Sequence, residues 1–155
     1  MKHVLERLFP AQFDNVYRGN RIALWLFYPL TAVTLWRSQH HMLAPDGGAQ
    51  SIATIPLDNY ANGAAATIIA IFAQWGLVQL LLGLLMLLAA FRYRSMVPLM
   101  WLIVLVEWTG RGLIGRFKPV ETLGTAPGQV GNLVVPVIAL VMLVMALWPE
   151  KKTES

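Results

Sequence analysis

Four long apolar runs alternate with polar or glycine- and proline-rich stretches along the chain. A helix rises about 1.5 Å per residue, so about 20 apolar residues cross a hydrocarbon core about 30 Å thick. The pattern therefore predicts an all-α integral membrane protein with four transmembrane helices in an up-down bundle. The predicted spans cover residues 22–42, 64–91, 96–117 and 129–148.

The first span is the least regular, because its apolar part ends at Trp36 and would reach only about 22 Å. We therefore expect the helix to continue through Arg37 to Met42, with Arg37 paired or reaching toward the membrane surface. Pro29 lies inside this span and Pro136 inside the fourth. A membrane bundle tolerates both prolines, since neighbouring helices can satisfy the carbonyls that they free.

The segments outside the spans are unequal in length. Residues 1–20 combine apolar positions at helical spacing with lysine and arginine, which predicts a segment at the membrane interface. Residues 38–63 form a long outer loop, and loops of this length are usually functional or disordered. Its apolar stretch 51–57 is expected to pack on the mouth of the bundle. Residues 149–155 form a charged tail, and the whole chain, 1–155, is interpreted as a single membrane domain.

Composition supports the membrane interpretation. Only 13% of residues are charged, against about 25% in a typical soluble domain, and 57% are hydrophobic. The net charge of +4 comes from short groups at the ends of the apolar runs rather than from one basic patch, which argues against nucleic-acid binding. The absence of cysteine excludes disulfides, thiolate metal sites and thiol redox chemistry.

The distribution of lysine and arginine predicts the orientation. With four spans, the N-terminal segment, the 92–94 turn and the C-terminal tail share one side and carry eight of the 12 positive residues. Cytoplasmic segments are enriched in lysine and arginine. We therefore expect both termini to be cytoplasmic, in a membrane of the bacterial cytoplasmic (inner) type, with the long loop on the outer side.

Glu107 is the only acid inside a predicted span, and Arg111 follows it by one helical turn. An ionisable group within a span costs a few kcal/mol and usually faces the bundle interior with a partner. A helical wheel places Lys118 on the same face and Arg116 on the opposite face. The pair is either a structural ion pair, in which Arg111 neutralises Glu107, or a catalytic site with a partly desolvated acid. The sequence leaves both open.

The second predicted helix has two distinct faces. Gln74 and Thr67 form a sparse polar stripe at the depth of Glu107 and are expected to line a cavity. The other face carries small residues, including Gly76 and Gly83, which let another helix approach closely. The candidate ligand-binding residues are those expected at the outer half of the bundle: Arg37, His40, Thr67, Gln74, Trp108 and Lys118.

Several kinds of site are excluded by position. No histidine lies well inside a predicted span, as bis-histidine haem would require, and no lysine lies deep enough for a Schiff base. Glycine motifs for nucleotides lack their contexts. His40, His41 and Asp46 could share a metal only on an irregular backbone, because adjacent histidines point in different directions on a helix. No cofactor, metal or nucleic-acid partner is predicted.

The length and the four predicted spans resemble those of the membrane-associated glutathione-conjugating enzymes. The second helix has Gln74, Gln79 and a leucine run in place of that family's Arg/Asn/Glu signature. The resemblance is one of architecture, and no site residue follows from it.

Three functions fit these patterns. The first is binding of a lipid-like, isoprenoid or quinone-like ligand, or an accessory role, at an outward-facing polar site in an apolar bundle. The second is a cofactor-independent membrane enzyme of the isomerase, hydrolase or cyclase type, with Glu107 as general acid/base and Arg111 beside it. The third is a structural subunit of a larger assembly, whether a homo-oligomer or a complex with another membrane protein, suggested by the Gly76/Gly83 face.

Overall fold

The computed structural model describes residues 2–148, and within this range it is helical and without strands. The predicted tail 149–155 lies outside the described residues. The helices are α1 (Lys2–Leu8), α2 (Arg21–Leu43), α3 (Asn62–Phe91), α4 (Val97–Phe117) and α5 (Pro127–Leu147), with short 3-10 turns at Leu57–Asn59 and Arg94–Met96. The all-α prediction is confirmed for this part of the chain.

Local sequence explains where the long helices begin. The Asn20 side chain caps α2 by accepting a hydrogen bond of 2.9 Å from the amide of Ile22. Pro98 and Pro127 stand in the first turns of α4 and α5, where a missing N–H leaves no bond unmade. Pro29 and Pro136 lie inside continuous helices, as the sequence predicted.

The helices are arranged as two antiparallel pairs, α2 with α3 and α4 with α5. Each pair packs along most of its length, whereas contacts between the pairs are fewer. The inter-pair contacts concentrate at one end, which we call the turn end because the 92–96 turn lies there. The opposite end, called the loop end, carries the connections 44–61 and 118–126.

A packed core holds the two pairs together at the turn end. Phe27 of α2 and Trp101 of α4 are fully buried and meet edge to face, with ring centroids 5.7 Å apart. The Trp101 Nε1–H donates to the carbonyl oxygen of Ala23 at 3.1 Å, which satisfies the only polar atom of this large side chain. Met86 of α3 and Leu143 of α5 complete the contact among all four long helices.

The N-terminal segment crosses the turn end and closes it. Arg7 Nη1 donates to the carbonyl oxygen of Leu147 at 2.9 Å, and the amide of Asp14 donates to Ser95 Oγ at 2.9 Å. The Arg18 guanidinium is bonded to Asp14 and holds the pKa of that carboxyl below its usual range. This segment therefore fastens the ends of α4 and α5 to the 92–96 turn.

Small residues on α3 explain its close packing against α2. A Cβ added at Gly76 would lie 2.9 Å from His41 Cβ, and one at Gly83 would lie 2.8 Å from Leu35 Cδ2. The predicted small-residue face is confirmed, and its partner is α2 of the same chain.

At the loop end, the connection 44–61 folds back onto α3. Ile55 and Leu57 are buried against a row of α3 side chains that includes Ile68 and Phe72. The expectation that the apolar stretch of this loop packs on the mouth of the bundle is confirmed.

The loop is also organised by Asp46, whose carboxylate accepts hydrogen bonds from the amides of Gly48, Gln50 and Ser51 at 2.9, 3.1 and 2.6 Å. Partial burial raises the pKa of Asp46, but these amide bonds outweigh it and lower the pKa to about 2. Directly after Asp46 the chain turns through Gly47 and Gly48, whose φ values are 60° and 73°. Glycine adopts such positive φ values at little cost.

The outer surface of the long helices is apolar. Leucine, isoleucine and valine side chains of α3 and α5 are widely exposed, among them Ile71, Val78, Leu133 and Val137. Contiguous apolar surface of this kind is rare in soluble monomers and is typical of lipid contact. Within residues 2–148, three helices are long and apolar enough to cross a membrane: Asn62–Phe91, Arg94–Phe117 and Pro127–Leu147. α2 has the length, with 23 residues, but its polar residues place it outside this group.

Candidate functional site

Between the two helix pairs, a cavity of about 1040 Å³ opens at the loop end. Its walls come from α2, α4, α5 and the side of α3 that faces α2. The connections 44–61 and 118–126 form its roof. The rim on α2 carries Val33 and Trp36, which are 56% and 62% exposed, and the rim on α5 carries Leu133, which is 70% exposed. Exposed apolar side chains of α2 and α5 therefore stand at the edge of the cavity.

The deep part of the cavity is lined by Arg37, Arg111 and Trp75, and Trp108 lies against the two arginines outside the lining. The Arg111 guanidinium carbon lies 4.8 Å from the ring centroid of Trp75 and 4.5 Å from that of Trp108. The corresponding distances for Arg37 are 5.5 and 5.0 Å. Each cation therefore contacts both indoles, an arrangement in which the ring quadrupoles stabilise the positive charges.

Four side chains from three helices meet here because of their position along each helix. Arg37 stands in the second half of α2, Trp75 near the middle of α3, and Trp108 and Arg111 one turn apart on α4. The packing of α2 against α3 at Gly76 brings Arg37 and Trp75 to the same level. We call these four residues the Arg–Trp cluster.

Glu107 neutralises one of the two arginines. Arg111 Nη1 lies 3.4 Å from Glu107 Oε1, and the two side chains are 21% and 27% exposed. The predicted i, i+4 ion pair is present. Glu107 itself is not among the residues that line the cavity.

Arg37 has a weaker partner. Its Nε–H donates to Oε1 of the buried Gln79 at 3.4 Å, and no carboxylate in residues 2–148 lies within ion-pair distance of it. A neutral amide satisfies a donor but leaves the charge in place. The Arg–Trp cluster with Glu107 thus holds two cations and one anion.

Trp108 is fixed by α5. A Cβ at Gly131 would collide with the Trp108 ring, so only a glycine lets the indole approach that helix so closely. Close by, Asn132 lines the cavity with a buried amide oxygen that has no hydrogen-bond partner. The α5 wall therefore supplies one positioning contact and one unsatisfied polar atom.

The two histidines at the end of α2 behave differently. His41 is buried, its Nδ1 lies 2.7 Å from the Gly47 carbonyl oxygen, and its ring packs against Trp75 with centroids 4.8 Å apart. His40 packs beside Trp36, with its Nε2 buried and unpartnered. In residues 2–148 no three histidine, aspartate or glutamate side chains come together as metal ligands.

The two loops meet over the cavity. The Leu123 amide donates to the Thr54 carbonyl oxygen at 2.8 Å, and Thr54 Oγ1 donates to the Gly124 carbonyl oxygen at 3.0 Å. Thr54 has a φ of 56°, which is strained for a β-branched residue and is held by these bonds. Arg116 lines the outer part of the cavity and is exposed.

The structure brings four of the candidate residues together: Arg37, Glu107, Trp108 and Arg111. Gln74 and Thr67 do not line the cavity. Both are exposed, and the Thr67 hydroxyl donates to the Gly63 carbonyl oxygen of its own helix. The reason is that α2 covers the Gly76/Gly83 face of α3, which turns the Gln74 face outward.

Lys118 and His40 also lie outside the cavity lining. The wheel that placed Lys118 on the face of Glu107 assumed a continuing helix, whereas α4 ends at Phe117 and Lys118 has a non-helical backbone, with φ −131° and ψ 74°. Arg116, expected on the opposite face, lines the cavity instead.

Sequence reasoning missed Trp75 and Gln79. The sequence did contain a signal for Gln79. This residue lies on the same face of α3 as Gly76 and Gly83, and a face that packs against α2 must meet Arg37. Trp75 carried no such signal, since a tryptophan in a membrane helix is as often a surface anchor as a cavity wall.

No family model matches the chain, no curated protein compared with it is similar, and no solved structure compared with it matches. The architectural resemblance to glutathione-conjugating enzymes therefore gains no support from these comparisons.

Proposed function

We propose that this protein binds a lipid-like amphipathic ligand in the cavity between its helix pairs. The observation that supports the proposal is the chemical division of that cavity. The proposed opening, between α2 and α5, has an apolar rim of Val33, Trp36 and Leu133. The deep part is lined by Arg37, Arg111 and Trp75 of the Arg–Trp cluster. Small-molecule sites are typically apolar with a few polar groups that orient the ligand. An acyl or isoprenoid tail matches the rim, and a polar head matches the cluster.

The proposal includes a four-span topology, in which α2 crosses the bilayer with α3, α4 and α5. α2 is 23 residues long, about 34 Å at 1.5 Å per residue, and it packs antiparallel along α3. Its polar side chains Ser38 and His41 are buried against the protein, where they do not meet lipid. In this topology, the opening between α2 and α5 faces the hydrocarbon, and a ligand reaches the site from within the bilayer.

The charge distribution supports an orientation with the turn end on the cytoplasmic side of a bacterial-type inner membrane. The N-terminal segment up to Arg21 and the 92–94 turn lie at the turn end and carry six of the 12 lysine and arginine residues, whereas residues 37–118 outside that turn carry four. The cavity then occupies the outer half of the bilayer.

The experiment compares two glycines of α4, Gly110 and Gly115, at which an added Cβ would meet no atom within 4 Å. Gly115 lines the cavity, whereas Gly110 does not. We expect Gly115→Trp to fill the cavity and to abolish co-purification of a specific amphipath from native membranes, measured by native mass spectrometry. Gly110→Trp is the matched control and should retain the ligand. Equal lipid occupancy in both variants and the wild type would contradict the proposal.

The other two functions lack a supporting observation. A general acid/base role for Glu107 stays a prediction, because its carboxylate is paired with Arg111 and does not line the cavity. The Gly76/Gly83 face, which suggested a structural subunit, is covered by α2 of the same chain. Neither function is proposed.

A further inference from the structure

The two guanidiniums of the Arg–Trp cluster leave one positive charge without a counterion in the deep part of the cavity. Arg111 is paired with Glu107, while Arg37 has only the neutral Gln79. No aspartate or glutamate of the described residues lines the cavity. An uncompensated cation at membrane depth is costly, and such residues usually mark a functional site.

The arginines also have unused donors. A guanidinium carries five N–H groups in a planar fork. Arg37 donates through Nε to Gln79, and Arg111 donates through Nη1 to Glu107. The remaining N–H groups of both side chains have no protein acceptor in the described part of the chain. Planar forks of this kind match the paired oxygens of a phosphate or a carboxylate.

The surroundings favour an oxyanion over a neutral head group. Trp75 and Trp108 hold both guanidiniums by their π faces, so the donor edges are free to meet a ligand. Arg116 adds a further positive charge toward the outer part of the cavity. A quinone ring or an isoprenoid alcohol would accept a hydrogen bond but would leave the excess charge unneutralised.

We infer that the ligand is an anionic amphipath whose phosphate or carboxylate oxygens bind Arg37 and Arg111, with its hydrocarbon tail leaving between α2 and α5. This inference rests on the proposed function and names the chemical class of its ligand.

The test uses full-length protein in a non-ionic detergent and two matched pairs of probes. Dioleoyl phosphatidylglycerol is compared with dioleoylglycerol, which lacks the phosphate, and oleate with oleyl alcohol, so tail length stays constant within each pair. Binding is measured by native mass spectrometry and by the ligand-induced shift in Tm. We expect the anionic member of at least one pair to bind about tenfold or more tightly than its partner.

Preference within the phosphatidylglycerol pair alone would identify a phosphodiester, within the oleate pair alone a carboxylate, and within both a general oxyanion site. Each of these results supports the inference.

Substitutions test whether the anionic probe binds at Arg37 and Arg111. Arg37→Gln should lower the affinity for the anionic probe about tenfold or more, whereas Arg92→Gln, which removes a cation at the turn end, should leave it unchanged. Glu107→Gln should bind the anion at least as tightly as the wild type, because it removes the competing carboxylate. Arg111→Gln leaves Glu107 unpaired and can fail to fold. The double variant Glu107→Gln/Arg111→Gln avoids this, and it should also lose affinity for the anionic probe.

Two negative outcomes are distinguishable. If the neutral probes bind as tightly as the anionic ones, and Arg37→Gln changes nothing while Gly115→Trp abolishes binding, the inference is overturned and the proposed function stands. If no probe binds, and Gly115→Trp has no effect on lipid that co-purifies, both fail.

Discussion

Arg37 and Arg111 share the same two tryptophans but differ in what balances their charge. Arg111 has a carboxylate one helical turn away, and Arg37 has an amide on a neighbouring helix. The ion pair on α4 is local and could be foreseen from spacing. The unbalanced charge on Arg37 is a tertiary property, because it depends on which residue of α3 faces it.

Replacing Glu107 by glutamine should destabilise the protein, because the Arg111 side chain, which is only 21% exposed, then has no counterion. A hydrogen bond to a charged group contributes about 1.5–3 kcal/mol, and we expect a loss in this range. The measurement is the thermal unfolding midpoint in detergent without added lipid. Asp14→Asn, which breaks the exposed ion pair with Arg18, is the control and should lower Tm less. Equal losses would show that Glu107 and Arg111 stabilise no more than an exposed pair.

Asp46 makes the loop at 44–61 sensitive to acid. Its pKa is lowered to about 2 in the folded protein, against 3.8 for an ordinary aspartate. A carboxyl with a depressed pKa stabilises the fold above its unfolded pKa, and this stability is lost as the pH falls toward the folded pKa. Between about pH 4 and pH 2, the amides of Gly48, Gln50 and Ser51 should therefore lose protection.

Hydrogen exchange, corrected for the intrinsic rate at each pH, measures this loss. Asp46→Asn should show weak protection of the same amides at all pH values, with no transition between about pH 4 and pH 2. A wild-type loop whose protection is constant over that interval would show that the carboxylate does not organise it.

At the scale of the helices, close packing between α2 and α3 is what positions Arg37 against Trp75 and Gln79. It depends on two glycines that differ in the space around them. At Gly76 an added Cβ would meet His41 Cβ at 2.9 Å and the Met42 backbone nitrogen at 3.0 Å. At Gly83 it would meet the end of the flexible Leu35 side chain at 2.8 Å. The Met42 backbone cannot move aside as easily as the end of the Leu35 side chain.

We therefore expect Gly76→Ala to lower Tm more than Gly83→Ala. Overpacking costs about 1–3 kcal/mol, partly offset by the gain of about 1 kcal/mol in helix propensity. Gly110→Ala, where the added methyl meets open space, should leave Tm unchanged or raise it. The three midpoints are compared in one detergent, and a Gly83→Ala protein less stable than Gly76→Ala would contradict the packing described for α2 and α3.

At the scale of the whole molecule, the two helix pairs diverge from a packed end to an open one. Phe27 and Trp101 join the pairs at the turn end, and no comparable apolar contact joins them in the described residues at the loop end. There the pairs are bridged by the loops through Thr54, Leu123 and Gly124. The cavity is therefore a consequence of where the core residues stand along the helices.

The four-span topology can be tested on the natural background, because the chain contains no cysteine. Single cysteines at Asn15 and at Leu123 stand at the turn end and the loop end. In sealed inverted vesicles, a membrane-impermeant maleimide should label Asn15→Cys and not Leu123→Cys, and in right-side-out cells the pattern should reverse. Labelling of both cysteines from one side would contradict a membrane-spanning bundle in this orientation.

Much of the fold could be predicted from the sequence, because helices that can span a membrane are recognised by their length and apolarity. The boundaries of α3, α4 and α5 lie within two residues of the predicted spans 64–91, 96–117 and 129–148. The candidate site was predicted less completely. Glu107, Arg111, Trp108 and Arg37 were identified, while Trp75 and Gln79 were not.

The sequence by itself determined the helices, their polar interruptions and the Glu107–Arg111 pair, since each depends on spacing within one segment. Only the tertiary structure decided which face of α3 meets α2, and therefore that Gln79 and Trp75, rather than Gln74 and Thr67, surround the arginines. The physical reason is that either the small-residue face or the polar face of α3 could pack in the interior of the protein, but not both. In this protein the small-residue face packs against α2, because Gly76 and Gly83 allow the two backbones to approach closely. This packing places Arg37 in the cavity.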